Sequence, residues 1–150
     1  LRLAQLINSR KVIFEKYFSD ISGANDEFLN STSLDKEFIQ KLFGYINDNL
    51  SDSNLSVELL ASKLNLSRSQ LYRKIKAITG QTVNELIRKI RLERAKQILE
   101  NGKANVSEVC YKVGFSSPSY FTKCFKANFG ILPTEVEPKK KNILQFLYKI

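Results

Sequence analysis

One stretch of this chain occurs twice. The first copy, Leu55 to Gly80, reads LSVELLASKLNLSRSQLYRKIKAITG, and the second, Asn105 to Gly130, reads NVSEVCYKVGFSSPSYFTKCFKANFG. Val57, Leu60, Ala61, Leu64 and Leu66 return 49 residues later as Val106, Val109, Cys110, Val113 and Phe115. Leu71, Ile75 and Gly80 return 50 residues later as Phe121, Phe125 and Gly130. The offset grows by one, so the second copy's turn holds one extra residue. Apolar positions and a terminal glycine held in register through both copies imply two like supersecondary units.

Each copy reads as helix, tight turn, helix. Val57, Leu60, Ala61 and Leu64 follow the 3.6-residue period, with Ser56 as the N-cap. Asn65 stands where a left-handed residue ends that helix, and Gly114 takes the same place in the second copy. Ser67 and Gln70 form a capping box that starts a new helix. In the second copy Pro118 suits the first helical position, which makes Ser117 the cap. Gly80 and Gly130 end the second helices. Two short helices joined by a turn of three or four residues make a helix-turn-helix, whose second helix commonly enters the DNA major groove.

Between the copies, Thr82 and Glu85 form another capping box, and the pattern predicts a helix from Val83 to about Glu100. At 1.5 Å per residue it spans ~27 Å. A rod of that length can hold two recognition helices roughly one DNA turn apart. Its Arg91 and Arg94 either reach phosphate or are tied into the protein by Glu93 or Glu85. Before the first copy, a helix from about Leu34 to Asn49 presents Phe38, Ile39, Leu42, Phe43 and Ile46 to cover the first motif. Residues 1–21 read as a further helix and 22–33 as a polar linker in which Phe28 and Leu29 can anchor. The partner of the 1–21 stripe is a second copy, the following domain or an upstream one. Pro133 opens a short closing turn. The tail over 137–150, ending KKKNILQFLYKI, is either a loose end or a packing or membrane-surface helix.

The fold class expected is therefore all-α: two helix-turn-helix subdomains joined by a long linker helix, with an N-terminal helical extension. Residues 1–33 form the extension and linker and 34–136 the paired-motif domain. Its first motif covers 55–80, its linker helix 82–100 and its second motif 105–130.

Charge narrows the partner. Residues 1–54 carry 6 Lys/Arg against 8 Asp/Glu, a net of −2; residues 55–150 carry 18 against 7, a net of +11. A basic excess confined to the repeat region points to a polyanion, either nucleic acid or an acidic membrane surface. No run of 18 apolar residues suggests a membrane span. Arg2, Arg10 and Lys11 interrupt the N-terminal apolar positions, so no secretory signal is expected. The chain has no histidine and two cysteines, Cys110 and Cys124, which read as buried small hydrophobes. Without the usual base, a metal-ligand cluster or a phosphate-cradling glycine loop, an enzyme is not expected, and neither is a metal, a cofactor or a small-molecule ligand.

These residues carry a resemblance. From about Asp35 to Val136 the chain resembles the DNA-binding domain of the AraC/XylS family of bacterial transcription regulators. Val113-Gly114-Phe115-Ser116, Ser119-Tyr120-Phe121, Phe125-Lys126, Phe129-Gly130 and Pro133 carry it in the second copy. Leu60-Ala61, Leu64, Ser67, Leu71, Arg73 and Gly80 carry it in the first, and Arg91-Leu92, Ala95 and Leu99 between them. Cys110 replaces the family's usual alanine, and Ile75-Lys76 its usual Phe-Lys pair. The resemblance implies a monomeric unit that places both recognition helices in successive major grooves. The first 30 residues are similar to the connection that follows a receiver domain in bacterial hybrid two-component regulators. That implies the output end of a cytoplasmic signalling protein whose full-length parent can be membrane-anchored.

On a helix beginning near Ser67, the residues facing away from Leu71 and Ile75 are the readers. Base contacts are assigned to Arg73, which can bind guanine bidentately, and to Ser69 and Tyr72. Ser67, Arg68, Lys74 and Lys76 are assigned to phosphates. In the second helix Ser119, Thr122 and Lys123 take the base-reading places, with Ser117 and Lys126 toward phosphate. Tyr120 either contacts phosphate or stacks in the core. The second helix's small polar residues suggest weaker reading than in the first. Expected partners are double-stranded DNA, RNA polymerase as a candidate, and a second copy through residues 1–21 and an upstream domain. The competing reading is a protein-interaction or dimerisation module without its own DNA specificity.

Overall fold

The computed structural model describes residues 33–139. The expected helix over 1–21, all but the last residue of the expected linker, and the tail beyond Lys139 lie outside the described residues. Among the described residues there are six α-helices, a closing 3₁₀ turn and no strand. The helices are α1 (Ser33–Asp48), α2 (Val57–Lys63), α3 (Arg68–Thr79), α4 (Val83–Glu100), α5 (Val106–Lys112) and α6 (Pro118–Phe129); the 3₁₀ turn spans Pro133–Glu135. They divide into two compact units, 33–49 with 54–88 and 50–53 with 89–139; the boundary falls inside α4.

In the first unit α1 packs on α2 and α2 on α3. The seven-residue α2 is far too short to persist alone, so its stability comes from burial. Its Val57, Leu60 and Ala61 meet a core that includes Leu42 and Ile46 of α1 and Leu71 and Ile75 of α3, all buried. The caps match their expected residues. Ser56 Oγ accepts from the Leu59 amide at 3.2 Å. Ser67 Oγ accepts from the Gln70 amide at 3.2 Å, and Gln70 Oε1 accepts from the Ser67 amide at 2.9 Å. Asn65 adopts φ 55°. Ser67→Ala removes one arm of the box and is expected to cost about 1 kcal/mol, read by urea denaturation.

The second unit repeats this plan with an aromatic core. Rings run in sequence through Phe115, Phe121, Phe125 and Phe129, with centroids 5.1, 5.7 and 4.6 Å apart. The corresponding residues in the first copy are Leu66, Leu71, Ile75 and Thr79. A capping box of Asn105 and Glu108, which sequence reading missed, opens α5. Five residues separate α5 from α6, where four separate α2 from α3. The expected three- or four-residue turn therefore holds for the first motif, and Ser116 is the insertion in the second.

The burial of the cysteines differs from expectation. Cys110 is fully buried and its thiol donates to the Phe115 carbonyl at 3.9 Å, but Cys124, on the flank of α6, is only half-buried. Both are free. Burial pushes the Cys110 thiol pKa up, which keeps it protonated at neutral pH.

Candidate nucleic-acid interface

The turn and the cap together aim α3. Leu71 and Ile75 are wholly buried and Ile78 and Thr79 nearly so, which fixes the helix's rotation about its own axis. The Thr79 hydroxyl donates to the Ile75 carbonyl at 2.8 Å and accepts from the Gln81 amide at 3.0 Å; Gly80, at φ 71°, then ends the helix. With that face inward, Ser67, Arg68, Ser69, Arg73 and Lys76 are exposed and Tyr72 is half-buried. The α3 residues assigned to base contacts, and most of those assigned to phosphates, thus lie away from the helix's buried face.

Two of the assigned cations have neighbours that sequence reading did not foresee. Lys74 Nζ lies 4.3 Å from the centroid of the Phe38 ring of α1 and is half-buried. Such a cation–π contact ties α3 to α1 and sets Lys74 apart from the exposed Arg73 and Lys76. Arg68 is paired with Glu58 of α2 at 2.9 Å, and its guanidinium carbon sits 5.6 Å from the Tyr72 ring centroid. Hydrogen bonding with Tyr72, and next the Glu58 charge, raise the Arg68 pKa, so it is a cation at any working pH.

Helix α6 follows the same logic. Ser117 Oγ accepts from the Tyr120 amide at 3.3 Å, and Pro118 occupies the first turn. Phe121 and Phe125 are wholly buried. Ser119, Lys123 and Lys126 are exposed and Thr122 and Ser117 half-buried. The two cap hydroxyls of Ser67 and Ser117 accept from backbone amides, which leaves each O–H proton able to meet a phosphate. Tyr120 is about half exposed, 49%, with its ring 6.1 Å from that of Phe115, so it leans on the core edge and presents its other side to solvent.

The basic residues of α4 divide. Arg91 is tied neither to Glu93 nor to Glu85. Its Nη2 donates to the Asp52 carbonyl at 2.7 Å, which fastens the 50–53 segment within the second unit. Burial lowers its pKa, partly offset by the Asp52 charge. Arg94 donates to Gln97 Oε1 at 3.2 Å and stays exposed. Lys96 lies 4.9 Å from the Phe129 ring centroid. No group of His, Cys, Asp and Glu suited to a metal occurs among the described residues, nor any helix long and apolar enough to cross a membrane.

Comparison with known proteins agrees with this geometry. Residues 60–138 match a family model described as a helix-turn-helix domain. Over 137 residues the chain is 36% identical to histidine kinase P4 of Formosa agariphila, covering 91% of this chain and 10% of that protein. The C-terminal domain of AraT, a response regulator from Geobacillus stearothermophilus, is 29% identical with a TM-score of 0.62, covering 70% of this chain and 89% of that one. The DNA-binding domain of the global transcriptional factor AdpA, solved with a target DNA, is 25% identical with a TM-score of 0.59, covering 64% and 86%. The chain spans between a tenth and about half of the length of the curated relatives it matches. It belongs to the AraC/XylS family of helix-turn-helix transcription regulators, and its all-helical, paired-motif architecture is that of the family's DNA-binding domain.

Proposed function

We propose that this DNA-binding regulator domain reads its target through Arg73, Ser69 and Tyr72 on α3 and through Ser119, Thr122 and Lys123 on α6. Each recognition helix enters a major groove, the two in successive turns. Arg68, Lys76, Lys126 and the cap hydroxyls of Ser67 and Ser117 contact phosphates, and Lys74 does so from the flank of α3. The observation that supports this reading is the outward face of each recognition helix, on which Arg73, Ser69, Ser119 and Lys123 are exposed and Tyr72 and Thr122 half-buried while the apolar set is buried. The likeness to histidine kinase P4 and to a response-regulator domain supports a further step: the domain is the output end of a two-component signalling protein acting in the cytoplasm. In that setting residues 1–21 relay dimerisation from an upstream domain, and RNA polymerase is the protein partner at the promoter.

The test is a fluorescence-anisotropy titration against a duplex enriched from a random pool, beside a scrambled duplex, at several salt concentrations. Tight binding to the enriched duplex that weakens steeply with salt is the expected result. Equal, weak binding to both duplexes would move specificity to the dimer, and no binding at low salt would favour a protein-interaction module. Lys126→Ala is expected to weaken both duplexes alike and to lower the salt slope by about 0.9, as loss of one phosphate contact does.

A further inference from the structure

A carboxylate stands beside the first recognition helix where DNA phosphates would come. Glu58, in the first turn of α2, holds Arg68, the first residue of α3, at 2.9 Å. Both side chains are 61% exposed, and an ion pair so open to water contributes little to stability. Its position has a larger consequence. In a helix-turn-helix the N-terminal end of the second helix meets the DNA, so a phosphate that reaches Arg68 finds Glu58 already on the guanidinium. The guanidinium also lies over the face of Tyr72, one of the assigned base readers. Glu58 is therefore paired with a cation assigned to phosphate, and that cation lies over the ring of an assigned base reader.

Resting on the DNA-reading role of α3, we infer that Glu58 is a specificity-determining positioning residue, which withholds Arg68 from the phosphates of non-cognate DNA. In a loosely held complex the phosphate must compete with Glu58 for the guanidinium, and the carboxylate offsets one cation. When α3 is fully seated the competition ends. Arginine's planar fork has five N–H donors, so it can keep Glu58 on one edge and accept a phosphate on another. The pair then arrives already oriented over Tyr72. Glu58 weakens non-specific binding more than specific binding, and the ratio between them rises.

The experiment uses the whole 150-residue chain, a duplex enriched by it from a random pool, and a scrambled duplex of the same length. Affinities for both are measured across a salt series for the parent, Glu58→Gln, Glu58→Asp, Arg68→Ala and the Glu58→Gln/Arg68→Ala pair. Glu58→Gln is expected to tighten the scrambled duplex roughly fivefold and steepen its salt slope by about 0.9, the weight of one released phosphate contact. The enriched duplex gains less, so discrimination falls. Glu58→Asp restores most of it. In the Arg68→Ala background Glu58→Gln has no further effect. An equal gain on both duplexes, or the same gain without Arg68, would overturn the inference and leave Glu58 a plain surface charge. A parent chain with no preference between the duplexes would move specificity away from the single domain, and the inference, which rests on α3 reading DNA there, would fall with it.

Discussion

Gly114→Ala is expected to destabilise the second unit by about 3 kcal/mol or more, read as a lowered urea midpoint. Two costs add. Gly114 adopts φ 91°, a left-handed conformation that costs an L-residue about 1–2 kcal/mol. A methyl group at this position also has nowhere to go. It would collide with the Leu50 carbonyl oxygen and come within 2.9 and 3.0 Å of Arg91 Nε and Cζ. Forcing a packed site open typically adds about 1–3 kcal/mol. Arg91 also holds the carbonyl of Asp52, two residues along, which resists a shift of the Leu50 carbonyl. Gly130→Ala separates the two costs. Gly130 has φ 75° and nothing within 4 Å of an added Cβ, so only the conformational cost of about 1–2 kcal/mol remains. Equal losses for the two variants would show that the Leu50 carbonyl yields and that the close approach carries no weight.

Gly114 also shows what could and could not be read from the sequence. That a left-handed residue ends the first helix of each motif was legible from its register with Asn65, since Asn and Gly are the residues that tolerate the conformation. The caps at Ser56, Ser67 and Ser117 and the bounds of α4 were legible for the same reason: their partners lie within four residues along the chain. The collar around Gly114 was not. Leu50 and Arg91 reach it from 64 and 23 positions away, and no local pattern records such a meeting. The same holds for Lys74 on Phe38 and for Lys96 on Phe129. Glu58 and Arg68 are only ten apart, yet they meet across a turn whose geometry must be known before the pair can be seen. Helical periodicity sorted the outward residues of α3 and α6 from the buried ones. It could not tell which outward cations were already engaged with the protein.

That distinction decides the second large effect. Arg73→Ala is expected to lower discrimination between the enriched and scrambled duplexes by about 1–3 kcal/mol, which is the weight of one bidentate base contact. Arg73 is exposed, one turn into α3, on a helix whose rotation is fixed by wholly buried Leu71 and Ile75. On the proposed reading its fork would start from a fixed place on the helix and could match the two acceptors of guanine. Lys123 holds the matching place on α6, exposed on a helix fixed by Phe121 and Phe125. A lysine there is a point charge that bonds acceptors singly and adapts to several bases. Its neighbour Thr122 is shorter than Tyr72 and reaches less far into a groove. Lys123→Ala should consequently cost less discrimination than Arg73→Ala, measured on the same two duplexes. The reverse order would place the stronger reader in the second unit. It would also mean that side-chain reach and fork geometry do not rank the two helices, leaving the DNA's own shape at each groove to do so.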